Sequence, residues 1–242
     1  MIDPIKPFTP LQYVIGKEKF LGLEFAVNEN VFIPRPETEI LAHTAMDIIR
    51  EIKGEKGEVR ILDLCTGSGC IAISLAARLL SPASPDKING LTKNAADCKI
   101  IASDISEKAL SIAKENAVIN GVADKVAFIK SDLFEKIEGG FDVIIANPPY
   151  IARHEFETLQ KEVLKEPMLA LDGGEDGLDF YRKIFAEAPR YLKNGSYCIM
   201  EIGFGQRKAI KEIIDRSKNF KLIDVMEDQY SIDRVILTKW IN

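Results

Sequence analysis

From residue 59 onward, short apolar runs alternate with segments of helical periodicity. Strands that are apolar on both faces and alternate with helices are typical of a mainly parallel sheet covered by helices on both sides. Only QYSID separates the last two runs, so we expect the last strand to run antiparallel to its neighbour. The prediction is a doubly wound α/β fold with seven strands: VRILDL (59–64), KIIASD (99–104), KVAFIKSD (125–132), FDVIIANPPY (141–150), SYCIMEIG (196–203), FKLIDVMED (220–228) and RVILTKW (234–240).

The segments around these strands have a different character. KFLGLEFAVNENVFI (19–33) predicts an extended hairpin that turns at Asn28-Glu29-Asn30, and a helix is predicted from Pro36 to about Lys53. We therefore divide the chain into an N-terminal hairpin and linker, residues 1–35, and a main domain, residues 36–242. Residues 81–97 are rich in Ser, Pro, Asn and Lys, which predicts a long surface loop. Helices are predicted at 70–80, 106–120 with Ser106 as N-cap, 178–192 and 206–215.

The composition argues against several kinds of partner. The 242 residues carry a net charge of -5, so no global basic field attracts nucleic acid. The cysteines form no CxxC pair, and with only His43 and His154 available we expect no metal site. The first residues lack the apolar core of a signal peptide, and no apolar run is long enough for a membrane helix. We therefore expect a cytoplasmic protein with neither a membrane partner nor a direct nucleic-acid partner.

A glycine turn, Cys65-Thr66-Gly67-Ser68-Gly69, joins the first main-domain strand to an apolar helix. Glycines let the backbone turn sharply and approach a ligand closely. The third glycine of the dinucleotide-binding pattern is missing here. The turn therefore favours a cofactor that has no pyrophosphate. We assign no nucleophilic role to Cys65, which we interpret as a small residue tolerated in the turn.

Acidic residues end three successive predicted strands, at Asp63, Asp104 and Asp132. Asp104 lies 35 residues beyond the glycine turn, against about 20 in the dinucleotide pattern, and segment 81–97 accounts for the excess. A carboxylate there can accept hydrogen bonds from both hydroxyls of a ribose, and Leu133 could lie against an adenine ring. Any one of these acids could instead simply cap the following helix. Three together at the carboxyl edge of the sheet favour a ligand crevice.

A rigid turn, Asn147-Pro148-Pro149-Tyr150, follows the fourth predicted strand. The two prolines fix two φ angles and remove two N–H donors, so the carbonyl directions are set. The Asn147 side-chain oxygen and the Pro148 carbonyl can accept both hydrogens of one –NH2 group, while Tyr150 stacks on the planar group that carries it. Such acceptors orient the lone pair of a poorly nucleophilic amide nitrogen toward a methyl donor. A plain strand-ending turn is the alternative, but the added Asn and Tyr favour a methyl-transfer site.

Four stretches of the sequence are similar to one family: PLQYVIGKEKFLGLEFAVNENVFIPRPETEIL (10–41), ILDLCTGSGCIAISLA (61–76), IIANPPYI (144–151) and EPMLALDGGEDGLDFYRKI (166–184). They resemble the peptide chain release factor glutamine N5-methyltransferases, which have the Rossmann-like class I methyltransferase fold. The Asn-Pro-Pro-Tyr motif is shared with adenine-N6 and guanine-N2 methyltransferases of nucleic acids. The first and last stretches are far more selective, and they decide the resemblance.

The resemblance implies an activity and its cofactor. A methyl group would pass from S-adenosylmethionine to the side-chain nitrogen N5 of the glutamine in the Gly-Gly-Gln motif of translation release factors, leaving S-adenosylhomocysteine. The implied cofactor-binding residues are Cys65, Thr66, Gly67, Ser68 and Gly69 at the methionine part, Asp104 at the ribose, Asp132 and Leu133 at the adenine, and Asn147.

The resemblance also implies a substrate site. Asn147, Pro148, Pro149 and Tyr150 would hold the glutamine, and Asn147, Pro148 and Tyr150 among them would be catalytic. Pro34, Arg35 and Glu37 would line the pocket mouth. The alternative for Arg35 and Glu37 is an ion pair at the start of a helix, which contributes little if it is exposed.

The sequence departs from the family pattern in three places. Family members usually carry a helical domain before the segment that matches Pro10, and this sequence begins almost at that segment. The first residue of the glycine turn is usually glycine, and here it is Cys65, so we expect the backbone there to avoid angles that only glycine adopts. Segment 81–97 is longer than usual and would edge or cover the adenine pocket.

Three other functions stay open at this point. A nucleic-acid base methyltransferase using the same Asn-Pro-Pro-Tyr site would need a clustered basic face. A non-catalytic protein could bind S-adenosylmethionine and a partner without turnover. An NAD-dependent dehydrogenase is disfavoured because the glycine pattern is incomplete.

Overall fold

The computed structural model of the protein describes residues 7–56, 58–80 and 98–241. The strands in this part of the chain are β1 (Lys17–Phe20), β2 (Leu23–Ala26), β3 (Val59–Leu64), β4 (Cys98–Asp104), β5 (Val126–Lys130), β6 (Phe141–Ala146), β7 (Leu192–Glu201), β8 (Phe220–Glu227) and β9 (Asp233–Trp240). The α-helices are α1 (Leu11–Ile15), α2 (Thr38–Lys56), α3 (Cys70–Leu79), α4 (Glu107–Ile119), α5 (Met168–Leu171), α6 (Asp179–Glu187) and α7 (Arg207–Ser217). Short 3₁₀ helices span Arg153–Thr158, Val163–Lys165 and Ala188–Arg190.

Seven of the strands form one sheet in the order β5-β4-β3-β6-β7-β9-β8. The first five strands in this order are parallel to one another, and β9 runs antiparallel to both β7 and β8. The predicted doubly wound sheet with an antiparallel last strand is therefore confirmed. The order reverses beside β3, where β4 lies on one side and β6 on the other. A crevice opens at such a switch point, beyond the carboxyl ends of the strands.

The central strands are buried on both faces. In β6, Val143 and Ile145 pack with α2 and α3, whereas Ile144 and Ala146 pack with α6 and α7 on the opposite face. All four side chains have no exposed surface. This two-sided burial explains why the strands appear in the sequence as continuous apolar runs.

The N-terminal hairpin turns at a different place from the predicted one. The turn lies at Leu21 and Gly22, with φ angles of 49° and 76°, and not at residues 28–30. A two-residue hairpin turn with two positive φ angles matches the twist of its strands, and Gly22 supplies one of them without strain. Asn28 instead forms a separate turn after the hairpin, in which its Oδ1 accepts a hydrogen bond of 2.9 Å from the Asn30 N–H. Because leucine rarely adopts a positive φ angle, the pair Leu21-Gly22 does not look like a hairpin turn in the sequence.

The hairpin packs on the same core as the sheet. Phe20 and Phe25 are buried, and their rings meet edge to face with centroids 6.2 Å apart. Both belong to the apolar cluster that contains the buried faces of α2 and α3. The division of the chain at residue 36 stays a prediction, and the predicted loop 81–97 lies outside the described residues. None of the helices in the described ranges is long and apolar enough to cross a membrane.

Candidate active site

A cavity of about 640 Å³ lies at the carboxyl edge of the parallel strands. Its wall includes residues of the glycine turn after β3 and the Asn-Pro-Pro-Tyr turn after β6, because these two strands are neighbours in the sheet. The predicted site residues that line it are Pro34, Arg35, Glu37, Cys65, Thr66, Gly67, Ser68, Asp104, Asp132, Leu133, Asn147, Pro148, Pro149 and Tyr150. Gly69 is not among the lining residues.

The glycine turn keeps a left-handed backbone at three positions. Cys65, Gly67 and Gly69 have φ angles of 58°, 54° and 81°. The φ angle of Cys65 lies in the left-handed region, which glycine favours and which a non-glycine residue adopts at a cost of about 1–2 kcal/mol, so it does not contradict the expectation that the backbone there avoids angles that only glycine adopts. Burial raises the pKa of the Cys65 thiol well above its usual value, which disfavours a thiolate there.

Gly69 lets helices α3 and α4 pack closely at the end of the turn. A Cβ atom at this residue would lie 2.7 Å from Cδ1 of Ile73 and 3.1 Å from Cβ of Ala113. A side chain at Gly69 would therefore push α3 away from α4. At Gly67, by contrast, a Cβ atom would meet nothing within 4 Å, since that position faces open space.

Asp104 closes the glycine turn from the neighbouring strand. Its Oδ2 accepts a hydrogen bond of 2.9 Å from the Gly67 N–H, and its Oδ1 accepts one of 2.8 Å from the Ser106 N–H. Burial raises the pKa of Asp104, whereas the bonds from Ser106 and Gly67 lower it. Each carboxylate oxygen can accept a further hydrogen bond, so Asp104 can hold the turn and still receive hydroxyl groups. Asp132 and Leu133 line the same cavity after β5.

Asp63 does not reach the cavity with the other two acids. It is completely buried, and its Oδ2 accepts a hydrogen bond of 2.6 Å from the Thr66 hydroxyl. Burial raises the pKa of Asp63 to about 7. The three strand-end acids thus divide into two that line the crevice and one that supports the glycine turn from within.

The side chain of Asn116, on α4, links the hairpin to the glycine turn. Its Oδ1 accepts a hydrogen bond of 2.7 Å from the Ala26 N–H, and its Nδ2 donates to the carbonyls of Ala26 and Ser68 at 3.1 and 2.9 Å. Asn116 is fully buried, so losing these bonds would leave polar backbone groups without partners. The hairpin therefore helps to fix the cavity wall.

The Asn-Pro-Pro-Tyr turn is anchored at both ends by side chains. Asn147 donates a hydrogen bond of 3.2 Å from Nδ2 to the Thr38 hydroxyl, which leaves Oδ1 as the acceptor of that amide. The Tyr150 hydroxyl donates to Oε1 of Glu201 at 3.2 Å. Burial and the nearby Glu201 raise the pKa of Tyr150, so its hydroxyl stays protonated. The side chains of Asn147 and Tyr150 therefore use their hydrogens in bonds to the protein, and the Asn147 Oδ1 atom stays able to accept a hydrogen bond.

A glycine-rich loop packs against the back of this turn. A Cβ atom on Gly173 would lie 2.7 Å from Cα of Tyr150, and one on Gly177 would collide with the Tyr150 carbonyl oxygen. That carbonyl accepts a hydrogen bond of 2.8 Å from Nε2 of Gln206. The selective stretch 166–184 is thus glycine-rich because its backbone touches the backbone of the turn.

Arg35 pairs with a residue from the same stretch. Its guanidinium forms a salt bridge with Glu166, whose side chain is almost completely buried, and lies 4.8 Å from the centre of the Phe32 ring. Glu166 also accepts a hydrogen bond of 3.0 Å from the Ile33 N–H. The structure therefore does not show the alternative ion pair between Arg35 and Glu37. A partner 131 residues away along the chain takes its place.

Several lining residues were not found from the sequence. Thr38 and Glu201 support the Asn-Pro-Pro-Tyr turn, and Arg234, from β9, lines the cavity near them. Glu201 ends β7. The same reasoning that picked out the acids at the ends of the predicted strands, Asp63, Asp104 and Asp132, could therefore have identified it. The hydroxyl of Thr38 and the guanidinium of Arg234 carry no such signal, since only the fold brings them to the cavity.

Comparison with known proteins identifies the class and then the family. The pattern of the methyltransferase domain family matches residues 55–235, so this part of the chain is a methyltransferase domain. A solved ribosomal protein L11 methylase from Lactobacillus delbrueckii subsp. bulgaricus shares the fold, with a TM-score of 0.59 and 18% identity over 89% of this chain and 84% of the other.

Two curated relatives are much more similar in sequence. The release factor glutamine methyltransferase of Thermodesulfovibrio yellowstonii is 42% identical over 94% of this chain and 75% of its own length. The enzyme of the same name from Agrobacterium fabrum is 40% identical over 98% of this chain and 76% of its own length. The chain belongs to the release factor glutamine methyltransferase family.

Proposed function

We propose that this protein transfers a methyl group from S-adenosylmethionine to the side-chain amide nitrogen N5 of the glutamine in the Gly-Gly-Gln motif of a translation release factor. The observation that carries the proposal is the arrangement of two turns around one cavity. One is a left-handed glycine turn closed by Asp104, and the other is a rigid turn whose Asn147 amide keeps an oxygen free to accept.

The first turn has the chemistry that the cofactor requires. Gly67 faces open space, and Asp104 keeps acceptor capacity beyond its two backbone bonds. In the proposal, residues Cys65 to Gly69 contact the methionine part, Asp104 the ribose, and Asp132 with Leu133 the adenine. When bound, the cofactor supplies an electrophilic methyl group on a positively charged sulfur.

The second turn has the chemistry that the glutamine requires. An amide nitrogen is a poor nucleophile because its lone pair is delocalised into the carbonyl. In the proposal, Oδ1 of Asn147 and the carbonyl of Pro148 accept the two amide hydrogens, while Tyr150 and Pro149 hold the planar group. These acceptors orient the lone pair and stabilise the positive charge that develops on nitrogen. Pro34, Arg35 and Glu37 would guide the peptide at the mouth.

The charges around the cavity are mixed. Its lining contains four acidic side chains and three basic ones: Glu37, Asp104, Asp132 and Glu201 against Arg35, Lys183 and Arg234. A nucleic-acid substrate would call for a cluster of positive charge to neutralise phosphates. The mixed lining supports a peptide substrate with a neutral reacting group.

The test is transfer of a labelled methyl group to a purified release factor, followed by mass spectrometry of the Gly-Gly-Gln peptide. We expect one methyl group on the glutamine and none on a control factor in which that glutamine is replaced by glutamate. Label on the control factor, or no label on either, would reject the proposed substrate atom.

A further inference from the structure

Arg234 brings a guanidinium group to the cavity from the last strand of the sheet. It lies near the start of β9 and belongs to the cavity wall. Its Nε donates a hydrogen bond of 2.8 Å to Oδ2 of Asp228. Its two Nη groups make no hydrogen bond to any residue in the ranges 7–56, 58–80 and 98–241. Each Nη group carries two hydrogens, so Arg234 keeps donors for a ligand.

Asp228 holds this guanidinium in place. Oδ1 of Asp228 accepts hydrogen bonds from the Tyr230 and Ile232 N–H groups at 2.8 and 3.1 Å, so the turn between β8 and β9 is built around the carboxylate. The Asp228 side chain is only 6% exposed, and its second oxygen pairs with Arg234. A partly buried partner that is itself fixed by the backbone leaves the arginine little freedom, so its Nη groups are held in the cavity wall.

Arg234 is also the least exposed of the three basic side chains that the described residues contribute to this wall. Its side chain is 20% exposed, against 30% for Arg35, and Lys183 is an exposed residue. Hydrogen bonds from a charged donor are stronger where water is excluded. Arg234 is therefore the cation whose contacts with a bound ligand matter most.

The strand order places Arg234 on the substrate side of the cavity. β9 is two strands beyond β6, which precedes the Asn-Pro-Pro-Tyr turn, and four strands beyond β4, which ends in Asp104. With neighbouring strands about 4.8 Å apart, these separations are about 10 Å and about 19 Å. The Arg234 carbonyl accepts a hydrogen bond of 2.8 Å from the N–H of Ile202, the residue after Glu201, and Glu201 accepts one from the Tyr150 hydroxyl. Arg234 is therefore close to the proposed glutamine site and far from the proposed ribose site.

The Asn-Pro-Pro-Tyr turn offers acceptors to a substrate, but its side-chain donors are already used. Nδ2 of Asn147 donates to Thr38, the Tyr150 hydroxyl donates to Glu201, and the two prolines have no N–H. Such a turn suits the –NH2 group of a glutamine. A peptide that enters the cavity also buries carbonyl oxygens, and each of them needs a donor in exchange for water.

The two glycines before the substrate glutamine make this need specific. Because glycine has no side chain, a Gly-Gly segment can be recognised only by the space it leaves and by its backbone N–H and C=O groups. A guanidinium whose Nη groups are free offers donors in a fixed, planar arrangement that can reach such carbonyls.

We infer that Arg234 is a specificity-determining residue, whose Nη groups donate to main-chain carbonyl oxygens of the Gly-Gly segment that precedes the substrate glutamine. This inference rests on the proposed function and adds a contact outside the reacting amide. Because the contact is made before and during methyl transfer alike, it contributes to substrate binding and not to the chemical step.

The first experiment measures release-factor methylation by Arg234→Met, which keeps an extended side chain but removes all donors. We expect KM for the release factor to rise about 10-fold to 100-fold, the range for loss of hydrogen bonds from a charged donor, while kcat changes little. The affinity for S-adenosylmethionine in calorimetry should equal that of wild type. An unchanged KM would overturn the inference, and so would a fall in kcat at unchanged KM, which would place Arg234 at the reacting group.

Arg207→Met is the matched control. Arg207 is 52% exposed, pairs with Asp233 at 3.0 Å beside Arg234 along the chain, and does not line the cavity. Its loss removes a positive charge from the same region, so KM for the release factor should stay close to that of wild type. An equal rise of KM in both variants would show that only the net charge of this region acts, and the contact with carbonyl oxygens would be rejected.

A double-mutant cycle identifies the group that Arg234 binds. Calorimetry with S-adenosylhomocysteine present measures the Kd of the release factor without turnover, for the natural factor and for a factor whose glutamine is replaced by alanine. If Arg234 contacts the main chain, Arg234→Met should weaken binding of both factors by the same ratio, within about twofold, because the two changes are then independent. A loss that disappears with the alanine factor would assign the contact to the glutamine side chain and overturn the inference.

Arg234→Lys keeps the test decisive if Arg234→Met does not fold. An ammonium group can still pair with Asp228, but it lacks the Nη groups that extend beyond that pair. We expect a melting temperature close to that of wild type and a KM for the release factor raised about 10-fold. A wild-type KM in this variant would contradict the inference. If wild type itself transfers no methyl group to the glutamine, the proposed function fails instead.

Discussion

Replacing Gly173 by alanine should disable the Asn-Pro-Pro-Tyr turn without touching the glycine turn. The new Cβ atom would lie 2.7 Å from Cα of Tyr150, 2.8 Å from its carbonyl carbon and 2.9 Å from Cα of Gly177. Since ordinary contact begins at 3.4 Å, the backbone of Tyr150 and that of the loop around Gly173 must separate by about 0.7 Å. All three neighbours are backbone atoms, so no side chain can rotate to make room.

Two magnitudes follow from this overlap. Forcing extra atoms into a packed site costs about 1–3 kcal/mol of unfolding free energy, so Gly173→Ala should fold with a lower melting temperature. A displacement of about 1 Å near the reacting groups costs about 100-fold in rate, so kcat for release-factor methylation should fall by that order. The affinity for S-adenosylmethionine should change little, since Gly173 is not part of the glycine turn.

Gly140→Ala is the matched control for this substitution. Its Cβ atom would lie 3.2 Å from Cγ of Lys193, a half-exposed and flexible side chain that can move aside. Thermal unfolding, calorimetry of cofactor binding and methylation kinetics should therefore leave Gly140→Ala close to wild type. If Gly173→Ala had the same stability and kcat as this control, the close packing of the loop on Tyr150 would contribute to neither folding nor catalysis, and the prediction would be wrong.

Two further predictions concern the glycine turn. Asp104→Ala should weaken S-adenosylmethionine binding by about 1–3 kcal/mol, because it strands hydrogen-bonded groups, and unchanged affinity of a folded variant in calorimetry would reject the ribose assignment. For Asp63, the pKa in the folded protein, about 7, lies above the ordinary 3.8, so its contribution to stability is greatest at low pH and falls as the pH rises through this window. Asp63→Asn should therefore gain stability relative to wild type between pH 5 and pH 7.5, by up to about 1.4 kcal/mol per pH unit. Urea unfolding at both pH values checks this, and a constant difference would contradict it.

The strands were predictable because their burial is two-sided. A strand such as Phe141–Ala146, which is buried at every position, leaves an uninterrupted apolar run in the sequence. The antiparallel last strand followed from the short link after β8 alone. Ser106 was predicted as an N-cap, and its side chain accepts a hydrogen bond from the Ala109 N–H. These features depend on local patterns that tertiary packing did not override.

What the sequence could not predict depends on distant partners or on unusual backbone angles. Leu21 adopts a positive φ angle in the hairpin turn, which its residue type does not suggest. The salt bridge between Arg35 and Glu166 joins two segments that are far apart in the chain, and the nearer Glu37 was the only visible candidate. Whether a strand-end acid faces a cavity, like Asp104, or the protein interior, like Asp63, is decided by which elements cover it.

The role of Asn147 is tested most directly by measuring methylation of a release-factor glutamine by Asn147→Ala beside its affinity for S-adenosylmethionine. The proposal predicts a loss of about 100-fold to 1000-fold in kcat, by analogy with removal of an oxyanion-hole donor, and a much smaller change in cofactor affinity. Asn147→Asp, which keeps an acceptor but adds a charge, should retain part of the activity only if geometry is what matters. Near wild-type methylation by Asn147→Ala would contradict the central claim that this side chain holds the substrate amide.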